Sequence, residues 1–321
     1  MRTAPRSSAC VVAALISLTT MVHAQASECS DYSGRTGRVC SAAVDGTRAL
    51  HPIAGLLVSG GNPVLGTANT MGGLGHFSVT ARANAAHVVL PDVNYDGSSN
   101  TVPASDETLA PTPLVEVAAG IYGGMPSGLL AIDFLGSAQL LPTGQIDHLT
   151  VESGARRIGD VALGLGYGAR VGLVRESGPL PGVAVSIMRR DIPRLAYGDL
   201  AEGDQYRYAV NLHATNLRVV ASKQLLPFDL AAGLGWDKYT GDASVQFRDP
   251  VTSLVQPEIP FDLNQSRALA FLDAGLDLLP VKLLGEVGYQ GAKDQKLSTN
   301  FEDFDTTKGK FFASFGLRVG F

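Results

Sequence analysis

Phe311-Phe312-Ala313-Ser314-Phe315-Gly316-Leu317-Arg318-Val319-Gly320-Phe321 closes the chain, and its character alternates residue by residue. Phe311, Ala313, Phe315, Leu317, Val319 and Phe321 share one parity; Ser314, Gly316, Arg318 and Gly320 share the other, and Phe312 is the exception. A period of two with one apolar face is the signature of a β-strand. The same dyad recurs in Val161–Leu173, in Tyr206–Ala214, in Phe228–Trp236 and in Val281–Tyr289, each time with Gly or charge opposite the apolar stripe. Globular strands usually run about five or six residues, whereas about ten residues are needed to cross a bilayer at a tilt. Long strands of this kind predict a membrane wall.

Working outward, the dyads predict strands near 77–91, 113–122, 128–141, 159–174, 183–190, 205–222, 228–238, 267–278, 281–291 and 309–321. Short links such as Gly123–Ser127 and Leu279-Pro280 alternate with longer polar ones at 92–112, 142–158, 191–204, 239–266 and 292–308. That is the turn-and-loop asymmetry of an up-and-down barrel. The expected fold is all-β, a transmembrane antiparallel barrel of about 10 to 12 strands within a range of about 8 to 14. On this topology Tyr206, Trp236, Tyr289 and Phe311 mark the long-loop boundary of the bilayer, and Phe228 and Phe321 the short-turn boundary. A soluble secreted β-protein also alternates, and stays as a further reading.

Composition removes other classes. Of 321 residues 45% are hydrophobic and 17% charged, which excludes disorder and coiled coil. No apolar stretch after the N-terminus is long enough for a membrane helix. A pI near 5.7 without a basic block argues against nucleic acid as a partner. Arg2 and Arg6, the apolar run Cys10–Leu18 and Val22-His23-Ala24 read as a signal peptide over residues 1–24. Its removal takes away two arginines and no acid, moving the formal charge from −5 to −7. Cys29 and Cys40 are then the only cysteines, in an oxidising compartment, and a disulfide between them is expected. Residues 25–75 form an N-terminal periplasmic or plug segment, and residues 76–321 the barrel.

Charges opposite the apolar stripes must face the lumen, because Arg or Lys facing lipid at the midplane costs about 2 to 4 kcal/mol. The lumen-lining candidates are Glu116, Asp133, Arg170, Arg207, His213, Asp229, Asp273, Asp277, Lys282, Glu286 and Arg318. Arg218 shares parity with Leu212, so the pleat either slips near Thr215-Asn216 or has reached the interface there. The mixed signs suit either a salt-bridge network filling a narrow barrel or a weakly selective pore lining. No catalytic set is expected: Asp147-His148 reads as a solvated loop, and no nucleophile accompanies it. Asp92, Asn94, Asp96 and Asn100 lack the bidentate Glu of a calcium loop. Gly164-Leu165-Gly166-Tyr167-Gly168 is not followed by a helical pattern, so it is no phosphate loop. Neither cofactor nor metal is implied.

The stretch Phe311–Phe321 resembles the C-terminal strand signal of Gram-negative outer-membrane proteins, which end in an aromatic residue. The resemblance implies residence in the outer membrane, contact with its lipid, and recognition of Phe321 by the barrel assembly machinery during biogenesis. A weaker resemblance is to the outer-membrane fatty-acid and aromatic-hydrocarbon transporters, which carry an N-terminal hatch that residues 25–75 would match. The expected function is porin-like passive passage of small molecules. The alternative is a non-transporting structural barrel presenting the loops 92–112 and 239–266.

Overall fold

The computed structural model describes residues 27–125, 129–142, 149–151, 157–158, 161–305 and 307–321. Ten long strands build the wall: β1 (Phe77–Pro91), β2 (Ala104–Tyr122), β3 (Ala131–Pro142), β4 (Val161–Val174), β5 (Gly182–Tyr197), β6 (Tyr206–Leu225), β7 (Phe228–Phe247), β8 (Ile259–Asp277), β9 (Val281–Gln290) and β10 (Lys310–Gly320). Each pairs antiparallel with its neighbours in sequence, and β1 pairs with β10 from Ser78↔Gly320 to Ala86↔Phe312. The sheet is therefore a closed barrel without free edges in its lower part. A minor parallel pairing of Thr101-Val102 with Asn300-Phe301 ties two of the long links together.

Both ends of the wall are identifiable. Phe77 and Phe321 exchange backbone hydrogen bonds of 3.1 and 2.8 Å at the end that carries the short links, here the turn end. The long links sit at the opposite, loop end. Exposed apolar side chains belt the wall on the turn-end side, among them Leu217, Leu230, Leu234, Leu272, Val287 and Phe315. Trp236, Tyr167, Tyr289 and Phe311 border the belt toward the loops; Phe77, Tyr122, Phe228 and Phe321 border it toward the turns. Amphipathic and aromatic rings at both margins of an apolar band match the two interfaces of a bilayer.

Toward the loops the strands run further than the dyads suggest. β2 begins at Ala104 rather than 113, β5 continues to Tyr197, β7 continues to Phe247 and β8 begins at Ile259, so the links shrink to 92–103, 198–205 and 248–258. Pro111 and Pro113 lie inside this extension of β2. They are tolerated because residues before Leu114 pair with β1 but not with β3, leaving an edge where a missing N–H costs no ladder bond.

The interior is occupied by the segment before β1. Helix α1 (Gly34–Ser59) is buried round nearly its whole circumference, with Val39, Val44, Ile53, Leu56 and Val58 as well as Asp45, Thr47 and His51 out of solvent. A helix surrounded on all sides shows no apolar stripe, and period-based reading passes over it. Its start lies at the loop end, where Cys29, Val39, Cys40 and Val44 pack with Val93, Tyr95, Tyr206, Tyr208 and Phe247. The Cys29–Cys40 disulfide sits in this cluster. The chain then descends through the barrel, Met71 reaching Asp133 of β3, and meets the turn end at Gly73 to His76 before β1 begins.

Candidate functional site

The charged lumen and the plug within it form the site that the sequence pointed to. Gly60 terminates α1 with φ +58°, and a side chain there would run into Arg82, its Cβ 2.1 Å from Nη2. Gly61 is equally confined: a Cβ would lie 2.5 Å from Glu286 and 2.7 Å from Phe271. These glycines let bare backbone approach charged side chains of the wall. The Gly61 and Asn62 N–H groups donate to the Glu286 carboxylate at 3.0 and 2.6 Å, and Gly66 N–H and Asn62 Nδ2 donate to Asp273 at 3.0 and 2.6 Å. From the other side Arg218 donates to the carbonyls of Gly61 and Gly60 at 2.7 and 2.9 Å. Arg82 donates to Asn62 O at 2.7 Å, and Arg318 to Leu65 O at 3.0 Å. The wall's polar and charged side chains thus satisfy the irregular backbone of residues 60–71, which has no helix or strand to do so.

The wall charges are also paired with one another. Arg82 bridges Glu116 and Glu286 at 3.2 Å each, Arg190 reaches Glu116 at 3.1 Å, and Arg218 meets Asp237 at 2.6 Å. Arg170 and Asp133 pair at 2.7 Å, and Asp133 also accepts from the Met71 N–H at 3.0 Å. Nearer the turn end Lys282 lies 2.7 Å from both Asp229 and Asp277. Charges this deeply buried survive only with partners, since an unpaired one costs several kcal/mol. The arrangement neutralises and clamps.

Of the lumen-lining candidates, Glu116, Asp133, Arg170, Asp229, Asp273, Asp277, Lys282, Glu286 and Arg318 lie on the inner side. Arg207 and His213 do not. In β6 the outward side chains include Leu217 and Val219, so odd positions face out, and His213 pairs with Asp191 on the outer surface. Leu212 points in and packs with Val58, Ile192 and Tyr239. Arg218 points in with it, and the β6–β7 register is unbroken through Thr215-Asn216, so no slip occurs there. Tyr206, expected at the bilayer margin, is fully buried in the loop-end cluster. Periodicity failed in β6 because its loop-end half turns the apolar face toward the plug instead of toward lipid.

Arg82, Arg190 and Asn62 escaped the sequence reading. Ser78, Thr80, Arg82 and Asn84 alternate with small residues in β1, a polar dyad that would have revealed Arg82. The adjacent Arg189-Arg190 hides which of the two faces in, and Asn62 reads only as part of the turn Gly60-Gly61-Asn62-Pro63, with no sign that its side chain reaches the wall. His148 lies outside the described residues, as does the segment 1–24. In the first long link Asp92 and Asp96 accept from the backbone N–H groups of Asn94 and Ser98, ordinary turns of Asp side chains. Phe321 is exposed and stacks on Phe77 at 4.9 Å between ring centroids.

A closed antiparallel wall with an apolar belt outside, aromatic margins and ionised groups inside is compatible with only one surrounding phase at the belt, a lipid bilayer. The fold is that of an outer-membrane β-barrel. Solved structures similar to the chain are of the same kind. The outer-membrane protease OmpT of Escherichia coli is 10% identical, with 77% of this chain and 96% of that one covered and a TM-score of 0.39. Neisserial surface protein A is 12% identical over 76% and 98% of the two chains, TM-score 0.28. The toluene transporter TodX of Pseudomonas putida is 9% identical over 76% and 88%, TM-score 0.29. No family model and no curated protein sequence matches the chain.

Proposed function

We propose that this outer-membrane barrel is a sealed wall anchor of the Gram-negative outer membrane, which displays its loop end and the disulfide-braced start of α1 at the cell surface. The carrying observation is the clamp on the plug: residues 60–71 are hydrogen-bonded to buried Glu286, Asp273, Arg218, Arg82 and Arg318 across the barrel. Passive passage of small molecules would require these contacts to break together, so a structural, surface-presenting role fits the geometry better than an open porin. Export would depend on the signal at residues 1–24, and assembly on recognition of the exposed Phe321 by the barrel assembly machinery.

Conductance of the purified protein in planar bilayers tests the reading. The expected result is no steady current; a stable open channel in the wild-type protein would overturn it. Surface display has its own check. A short epitope inserted before Ser27 should be detected on intact cells, and detection only after the outer membrane is permeabilised would reverse the assigned orientation.

A further inference from the structure

On the outer wall across β5, β6 and β7, three successive cross-strand rows change character on leaving the apolar belt. The first is Ile187, Leu217 and Trp236, apolar and exposed. The second is Arg189, Thr215 and Lys238; Lys238 is paired in turn with Ser266 of β8, whose hydroxyl accepts from Lys293 Nζ at 3.3 Å. The third is Asp191, His213 and Thr240, an acid, a base and a hydroxyl on three adjacent strands. Asp191 Oδ1 lies 2.6 Å from His213 Nδ1 and also accepts from Arg189 Nε at 3.0 Å. All three of these side chains remain open to solvent, at 40% exposure for Asp191, 33% for His213 and 45% for Arg189.

Chemistry follows from the order of the rows. A carboxylate on Nδ1 holds that nitrogen as the donor and leaves the Nε2 lone pair free, the arrangement of a general base. Among the described residues Nε2 has no hydrogen-bond partner. In a bilayer the acyl ester carbonyls of lipids lie where hydrocarbon gives way to the polar layer, which on this wall is the row of Arg189 and Lys238. We propose that Asp191 and His213 form a water-activating site that hydrolyses an acyl ester of an outer-leaflet lipid. Acyl chains would lie along Ile187, Leu217 and Trp236, and the carbonyl would sit between Arg189 and Lys238, with water approaching from the His213 side. His213 Nε2 takes a proton from water as its oxygen bonds to the carbonyl carbon, and the cations stabilise the oxyanion that forms. The carbon–alkoxide bond then breaks, the proton passes from His213 to the leaving oxygen, and a fatty acid and an alcohol result. Only water is consumed.

The test uses the full-length barrel reconstituted in vesicles of phosphatidylethanolamine and phosphatidylglycerol, with and without added lipid A, and reads free fatty acid released. Wild-type protein should release fatty acid from at least one of the two preparations. His213→Ala and Asp191→Asn should each lower the rate by about a hundredfold or more, while both remain heat-modifiable on gels because the side chains are exposed. Added imidazole should restore part of the release in His213→Ala and none in Asp191→Asn. No release above protein-free vesicles from either preparation overturns the proposal, leaving Asp191 and His213 as a surface ion pair. Release that persists unchanged in His213→Ala overturns it equally, by assigning the activity elsewhere.

Discussion

The two halves of the barrel are built inside out with respect to one another. In the half near the turns, β7 sends Phe228, Leu230, Leu234 and Trp236 outward, with Asp229 and Asp237 inward. Beyond Trp236 the same strand sends Tyr239, Val245 and Phe247 inward. β6 reverses likewise, from Leu217 and Val219 outside to Leu212, Tyr208 and Tyr206 inside. Neither strand slips to do so, since the β6–β7 register is continuous. What changes is the surroundings. Below the aromatic margin lipid lies outside and a charged clamp inside; above it water lies outside, and inside is a protein core made of α1, its disulfide and the strand tyrosines. One backbone therefore carries a membrane pattern at one end and a soluble-protein pattern at the other.

The largest expected effect comes from breaking the clamp of the lower half. Glu286→Ala removes the acceptor for the Gly61 and Asn62 N–H groups and one partner of Arg82, all buried. Breaking a buried ion pair in this way costs about 3 to 5 kcal/mol. The variant should unfold at lower temperature in detergent and show intermittent current in planar bilayers where the wild type shows none. A silent, equally stable variant would mean that the plug is held mainly from the loop-end cluster.

Swapping environments across the reversal is the next test. Leu217→Arg puts a cation at the hydrocarbon margin beside Trp236 and should cost less than the ~2 to 4 kcal/mol of the midplane. Stability alone would not separate lipid face from core, because Leu212→Arg also buries a charge. Single cysteines do: those at 217 and 219 should take a lipid-soluble probe, those at 211 and 213 a water-soluble reagent, and that at 212 neither. Equal labelling at 213 and 217 would remove the boundary between the halves.

How much of this was legible in the sequence follows from the same contrast. The strand dyads of the lower half point to the barrel and to most of the inward charges, because lipid outside is what the period-2 argument assumes. Tyr206, Leu212, Arg207 and His213 were assigned to the wrong faces because above the belt that assumption inverts. Arg218 carries the warning: a charge sharing parity with Leu212 means that the shared face points away from lipid, and the charge, which lipid would penalise, is the one to believe. Helix α1 was illegible for a different reason. Pro52 and four glycines lie within Gly34–Ser59, and burial all round leaves no stripe for periodicity to find.

The core of the upper half should respond to acid. His51 of α1 is buried against Tyr239, at the level beyond Trp236, and burial first, then the nearby His213, lowers its pKa from 6.5 to about 4. A histidine depressed in the folded state is kept neutral there, so its contribution is constant above the unfolded value of 6.5 and stability falls as the pH drops from 6.5 toward 4. At about 1.4 kcal/mol per unit the loss approaches about 3 kcal/mol across that window. Unfolding midpoints measured at pH 7 and pH 4.5 should differ in the wild type and converge in His51→Leu. An unchanged difference in His51→Leu would place the acid sensitivity elsewhere.

The smallest effect is expected on the outer surface of that upper half, and it sharpens the contrast by failing to matter. Asp191 pairs with Arg189 and His213, but all three are solvent-exposed, and such pairs contribute about 0 to 1 kcal/mol because water already solvates each charge and salt screens their attraction. Asp191→Asn should therefore shift the unfolding midpoint hardly at all, and high salt should abolish whatever shift exists. Asp237→Asn, which weakens a pair of similar length with Arg218 inside the wall, should be costly and indifferent to salt, since no water reaches that site to compete. If the two variants proved equally destabilising, Asp191 would have to be covered in the assembled membrane, by lipid headgroups or by another molecule lying along β5 and β6.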